Sequence, residues 1–197
     1  MPVQNFIAAL RNRTIQGMGA RPGNLASMQN SELSGTCFVT YYYYYVTVSA
    51  SATNRLACAI SDQGEANGVY LQYKDYASTI AKISGLQPVM VSGGFSGCRY
   101  KIFSHNGQYY CAHISRPSDG ANTEGAREAC VNLMDNYATQ KGWTELQSIG
   151  TTGYIGQNGC AEVVVVSQLF DDRIDTLVLQ VDNRGMIVGD ALTSTAL

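Results

Sequence analysis

The chain has 197 residues, of which 45% are hydrophobic and only 14% charged, and its net charge is −2. That length suits one domain, residues 1–197, able to bury a substantial core, and the charge balance leaves no overall footprint for nucleic acid. No apolar run approaches the roughly 20 residues of a membrane-crossing helix. The opening Met1-Pro2-Val3-Gln4-Asn5 is no basic region followed by an apolar core, so neither a membrane span nor a secretory signal is expected.

Phe6, Ile7 and Leu10 space a short amphipathic helix within residues 3–13. Residues 14–34 are polar and glycine-rich, with Pro22-Gly23-Asn24, and read as a long surface loop. Residues 36–49 predict a strand or bent strand pair carrying five consecutive tyrosines, Tyr41 to Tyr45. Further strands are expected over 55–61, 68–74 and 88–92. A hairpin follows, 98–104 and 108–115, turned at Asn106-Gly107, a dipeptide whose residues both tolerate positive φ. The clearest helix spans about 123–141. Ala126, Ala129, Leu133 and Tyr137 line one face with Cys130 and Met134 beside them, Asn122 or Thr123 is its N-cap, and Gly142 is its stop. Later strands are predicted over 143–149, 162–169, 175–181 and 186–190, the last pair turned by Asn183-Arg184-Gly185. Many strands and few helices, with no repeat or linker, predict an α+β fold: a sandwich of mixed β-sheets flanked by helices.

The chemistry concentrates on the hairpin. Ser96-Gly97-Cys98 precedes its first strand, and His113, one of two histidines, lies near the end of the second. With a two-residue turn, His105 pairs with Gln108 and Tyr100 with His113. Cys98 and His113 then share a sheet face as diagonal neighbours, roughly 7–8 Å apart at the backbone. A thiol is mostly protonated near neutral pH. A neighbouring imidazole can take its proton and return it to a leaving group, which makes Cys98 a candidate nucleophile and His113 a candidate general base and acid. The glycine-rich run Gly93-Gly94-Phe95-Ser96-Gly97 lets substrate approach closely, and the backbone N–H groups of Gly97 and Cys98 are candidates for an oxyanion hole. A third group should orient the histidine, and composition and spacing do not single it out.

Other readings of the same residues are weaker. Cys98, His105, Cys111 and His113 are four zinc-type ligands, but straight hairpin strands keep them from converging. His105 reads as a solvated turn residue, and Arg99, Lys101 and Arg116 as solvated charges. The six cysteines include no Cys-x-x-Cys pair, and apart from Cys98 they are expected to be buried free thiols. The tyrosine run reads as a sheet buried on both sides, or else as an aromatic rim for a partner protein. Gly17, Gly19 and Gly23 follow no strand and make no dinucleotide motif, and residues 92–97 lack the lysine of a phosphate loop. No cofactor or metal is expected.

Ser96-Gly97-Cys98, the hairpin and His113 resemble the catalytic core of the cytotoxic necrotizing factor toxins and of Burkholderia lethal factor, whose Ser-Gly-Cys also precedes its histidine across a hairpin. The chemoreceptor glutamine deamidase CheD has a related cysteine-then-histidine order. The resemblance implies a β-sandwich with outer helices and a glutamine deamidase of toxin or effector type, with a transglutaminase side activity. It makes Cys98 the nucleophile and His113 the acid and base. It also gives Ser92, six residues before Cys98, the role of orienting the histidine through its main chain, although a serine stands there in place of the motif's threonine. The partner implied is a target protein presenting an exposed glutamine, met in the producing cell's cytoplasm or in a cell into which the chain is delivered. Two other classes remain open on the residues alone: a different Cys-His peptidase or amidase, and a β-rich binding module in which Cys98 is merely buried.

Overall fold

A computed structural model describes residues 4–22, 36–116 and 128–197. In chain order it has α1 (Phe6–Arg11), β1 (Gly17–Met18), β2 (Phe38–Tyr41), β3 (Tyr43–Ala50), β4 (Arg55–Ile60), β5 (Gly68–Leu71), β6 (Ala77–Ile83) and β7 (Val89–Phe95). There follow β8 (Arg99–His105), β9 (Gln108–Ile114), α2 (Ala129–Lys141), β10 (Thr144–Gly150), β11 (Glu162–Leu169), β12 (Arg173–Val181) and β13 (Ile187–Ala196).

The strands form two mixed sheets. One runs β1-β4-β3-β5-β7-β11-β12-β13 and the other β10-β8-β9-β6-β2. The ends of the larger sheet curl toward each other. Gly17 bridges Met186, Met18 N–H donates to Gly185 O at 2.7 Å, and Ile187 N–H donates to Gln16 O at 3.0 Å. A Cβ at position 17 would collide with the Gly185 carbonyl, so this closure needs a glycine. The fold is the α+β sandwich of mixed sheets flanked by helices that the sequence predicts.

Strict alternation divides the apolar residues among three cores. Val164 and Val166 of β11 point into the curl of the larger sheet, where Phe6, Ile7 and Leu10 of α1 fill the space. Val163 and Val165 point the other way, into the gap between the sheets, and meet Tyr100, Ile102 and Cys111. On the far side of the smaller sheet, Ile80, Phe103 and Ala112 pack against Cys130, Val131, Met134 and Ala138 of α2. The four layers are therefore α1, large sheet, small sheet, α2.

Several expectations need correction. Residues 36–49 form two strands in different sheets: β2 beside β6, and β3 beside β4 and β5. The tyrosines are not buried on both sides. Tyr41 is 52% exposed, and Tyr42 to Tyr45 are half-buried. The strand β6 was not expected, and β13 runs six residues past its expected end. The buried face of α2 centres on Cys130, Met134 and Ala138 rather than on Leu133 and Tyr137; its expected N-cap lies outside the described residues. Cys37 and Cys130 are not free thiols but form a disulfide tying the lead-in of β2 to α2, while Cys58, Cys98, Cys111 and Cys160 are free and buried. Lys101 is not a solvated charge. Its side chain reaches Asp135 at 2.6 Å and Glu145 at 2.8 Å, joining β8 to α2 and β10. Arg99 and Arg116 likewise both pair with Glu128.

One buried polar side chain secures α1. The Gln168 carboxamide accepts the N–H groups of Phe6 at 2.9 Å and Ile7 at 3.3 Å and donates to Gln4 O at 2.9 Å. The first N–H groups of a helix have no intrahelical partner, so this amide replaces water in a place water cannot reach. Gln168→Leu strands Ile7 N–H and leaves Phe6 N–H with only Gln4 O, 3.1 Å away, and is expected to cost about 1–3 kcal/mol, read as a lower urea midpoint with unchanged slope.

Candidate active site

The β8–β9 hairpin has the expected register. His105 stands opposite Gln108 and Tyr100 opposite His113. Asn106 and Gly107 have φ of 50° and 70°, both left-handed as a type I′ turn requires. Tyr100 and Ile102 face the gap between the sheets, as does Cys111. By period two, His113 faces the same gap, and Cys98, one residue before β8 begins, joins the same core cluster. His105 sits at the opposite end of the hairpin, half-buried rather than solvated, with Nδ1 3.0 Å from the carbonyl of Gly142 at the end of α2. The four residues considered as zinc ligands are thus spread along the hairpin rather than gathered.

Ser92 on β7 meets His113 from the other sheet. Its Oγ lies 2.9 Å from His113 Nδ1 and 2.8 Å from Leu71 O. The contact runs through the hydroxyl and not through the main chain that the resemblance implied. A hydroxyl has one hydrogen, and a carbonyl can only accept. Ser92 therefore donates to Leu71 O, and the Nδ1–H of His113 donates to Ser92 Oγ. This proton inventory leaves Nε2 as the unprotonated nitrogen. Nε2 is buried and has no hydrogen-bond partner among the described residues. Phe95 stacks on the imidazole at 3.7 Å between centroids and 5° between planes, and the Tyr73 ring lies 5.3 Å away at 51°. Burial pushes the His113 pKa down to about 3, since no charge near it offsets the lost hydration of an imidazolium.

Cys98 is 4% exposed and His113 1%. Burial raises the Cys98 thiol pKa. The backbone N–H groups of Arg116 and Ser96 at the sulfur, and the Arg116 charge, work against that rise, while the Asp75 charge adds to it. Thiol and imidazole are thus both neutral at rest, and no hydrogen bond joins them.

Thr151 holds the turn before the thiol. Its N–H and hydroxyl both donate to Cys98 O, at 3.2 and 2.8 Å, and its Oγ1 accepts Gly97 N–H at 3.3 Å. Gly97, at φ 119°, occupies backbone that favours glycine. The N–H of Gly97 is thus engaged in shaping the turn, and of the two expected oxyanion donors the N–H of Cys98 is the stronger candidate. Nothing in the local sequence points to Thr151 or Tyr73, which approach the hairpin from other strands and loops. Phe95 lay in plain view, three residues before Cys98, but only its stacking on His113 gives it a role.

No protein-family model matches the chain, and no curated protein matches it. Among solved structures it is similar to the C-terminal domain of CNFy from Yersinia pseudotuberculosis. That likeness has 10% identity and a TM-score of 0.39, over 79% of this chain and 72% of that one; at this score it carries no argument about residues or chemistry.

The buried imidazole has a thermodynamic signature. Unfolding lets His113 return to its ordinary pKa near 6.5, so between there and about 3 the unfolded chain binds the extra proton. The stabilisation from keeping the ring neutral is present above pH 6.5 and is lost as pH falls through the folded pKa. The slope contributed by this one group approaches about 1.4 kcal/mol per pH unit. Urea unfolding of wild type and His113→Asn between pH 4 and 7 should show the variant's pH slope reduced by that amount; parallel slopes would refute the low pKa.

Proposed function

We propose that the chain is a cysteine hydrolase that converts an exposed glutamine of a target protein to glutamate, with Cys98 as nucleophile and His113 as acid and base. The observation that carries the dyad is the proton arrangement at His113. Ser92 accepts Nδ1–H, and Nε2 remains a bare base with no hydrogen-bond partner among the described residues, facing the same gap as Cys98. A histidine serving structure alone would be expected to satisfy both nitrogens. The choice of a glutamine carboxamide comes from the sequence resemblance around Ser96-Gly97-Cys98.

The chemistry follows from two neutral groups. As a carboxamide carbon approaches Sγ, Nε2 takes the thiol proton and the C–S bond forms. Negative charge on the carbonyl oxygen develops beside the N–H of Cys98. The imidazolium, held by Ser92 through Nδ1–H, then protonates the leaving nitrogen. The C–N bond breaks, ammonia departs, and a thioester remains. Water, deprotonated by Nε2, attacks that thioester, giving glutamate and restoring the thiol. An amine in place of water gives a transglutaminase product. The low proton affinity of His113 makes each imidazolium short-lived, which favours return of the proton to the leaving group.

The test is a proteome-wide measurement. Cell extract incubated with wild type should show a glutamine peptide heavier by about 1 Da together with released ammonia, because amide becomes acid. Cys98→Ala and His113→Ala should lower that rate by about 1,000-fold or more while keeping the wild-type circular dichroism. Deamidation retained by Cys98→Ala would reject the assignment. New peptide termini in place of deamidated glutamines would transfer the dyad to a peptidase.

A further inference from the structure

Ser92 and Phe95 both act on the His113 ring, one at its edge and one on its face, yet they are three residues apart on one strand. In a regular strand, residues three apart point to opposite faces. Here the parity is changed by a bulge. Ser92 pairs with Val165 and Phe95 with Val163, so Gly93 and Gly94 together stand opposite Val164 alone. Without the extra residue, Phe95 would turn into the curl of the large sheet, and His113 would lose its stacking partner.

The bulge is held from outside the gap by an ion pair. Glu162 Oε1 accepts Gly94 N–H at 3.2 Å. Arg21 in turn grips Glu162 through two bonds of 2.7 and 2.8 Å. The pair lies directly against the strand: a Cβ at position 93 would stand 2.6 Å from Arg21 Nη1, 2.9 Å from Glu162 Oε1 and 3.2 Å from the Tyr70 hydroxyl. Gly94 has φ of 79°, a left-handed conformation that L side chains rarely adopt. Both glycines thus have a physical reason, and both reasons concern the clamp and the kink it holds.

We propose that Glu162, fixed by Arg21, is a positioning residue for His113: by holding Gly94 N–H it maintains the bulge that brings Ser92 and Phe95 to one face. Its consequence for catalysis rests on the Cys98–His113 reading; its consequence for the ring does not. Glu162 touches neither the sulfur nor the imidazole, and acts only through the backbone of β7.

Nitrogen-15 NMR of His113 separates this from a general loss of stability. The wild-type ring should show one tautomer, protonated at Nδ1. In Glu162→Ala, relaxation of the bulge should give averaged ring-nitrogen shifts, and kcat for glutamine deamidation should fall about 10- to 100-fold with KM nearly unchanged. Glu162→Gln keeps an acceptor for Gly94 N–H and should retain the wild-type tautomer and most of the rate. Asp190→Ala, which removes the Arg13 ion pair elsewhere on the large sheet, should leave the ring signals untouched. Wild-type ring shifts in Glu162→Ala would overturn the proposal, and so would equal disturbance in Asp190→Ala. If no variant, wild type included, deamidates glutamine, the ring shifts still decide the positioning role, and only the catalytic reading falls.

Discussion

A strand between two packed layers must choose a layer for every side chain, and that choice for the β8–β9 hairpin governs the rest of the site. Both faces of the smaller sheet are covered, one by the large sheet and one by α2. A slip of one residue would send His113 under α2 and bring Ile114 into the gap. Three constraints oppose such a slip. The Asn106-Gly107 turn fixes the loop at two residues, the alternation of apolar residues favours one register, and the Lys101 ammonium finds carboxylates only on the α2 side. Cys98 and His113 inherit their common orientation from this register.

The hairpin and its register were legible because their determinants are local. The turn dipeptide, the run of alternating residues and the two chemical groups all fall within sixteen positions of one another, and the strand β11 was equally plain from its valines. What escaped the sequence depends on distant neighbours. The strand β6 reads Ala-Ser-Thr-Ile-Ala-Lys-Ile: Thr79, Ile80 and Ile83 favour a strand, but the small and charged residues among them leave no clear apolar alternation. It is a strand because it lies between β9 and β2, where small side chains fit, and because its hydroxyls find partners: Ser78 donates to Cys130 O and Thr79 to Gln72 O. The Cys37–Cys130 disulfide was invisible for the same reason, since 93 residues separate its ends. Charge alone predicts a solvated Lys101, but Asp135 and Glu145, both distant in sequence, take up its ammonium.

The candidate site divides along the same line. Cys98 and His113 stand out by residue type and spacing. Their supports do not, because each arrives from another element: Ser92 and Phe95 from β7, Thr151 from the end of β10, and Tyr73 from the loop after β5. None has a distinctive spacing from the dyad. Ser92 was reached only through the resemblance, and its mode of contact differs from what that resemblance implied. A hydroxyl that donates to Leu71 O and accepts from Nδ1–H does what a carbonyl would do for the imidazole, while also tying β7 to β5. The change from main-chain to side-chain contact still assigns the same proton.

Burial sets a tension that the arrangement resolves through neutrality. Desolvation raises the thiol and lowers the imidazole, so the gap between the sheets opposes a resting thiolate–imidazolium pair. In the reaction we propose, charge separation is deferred until a carboxamide is present to share it. A polar ring in an apolar gap also needs walls that hold it without adding charge. Phe95 supplies one by stacking on the imidazole, and it reaches that wall only because two glycines are spent on one partner residue. The same bulge interrupts the ladder between β7 and β11, where a regular strand would have kept it. Relative to Ser92 it reverses the side-chain parity of the end of β7, the segment that leads into Ser96-Gly97-Cys98.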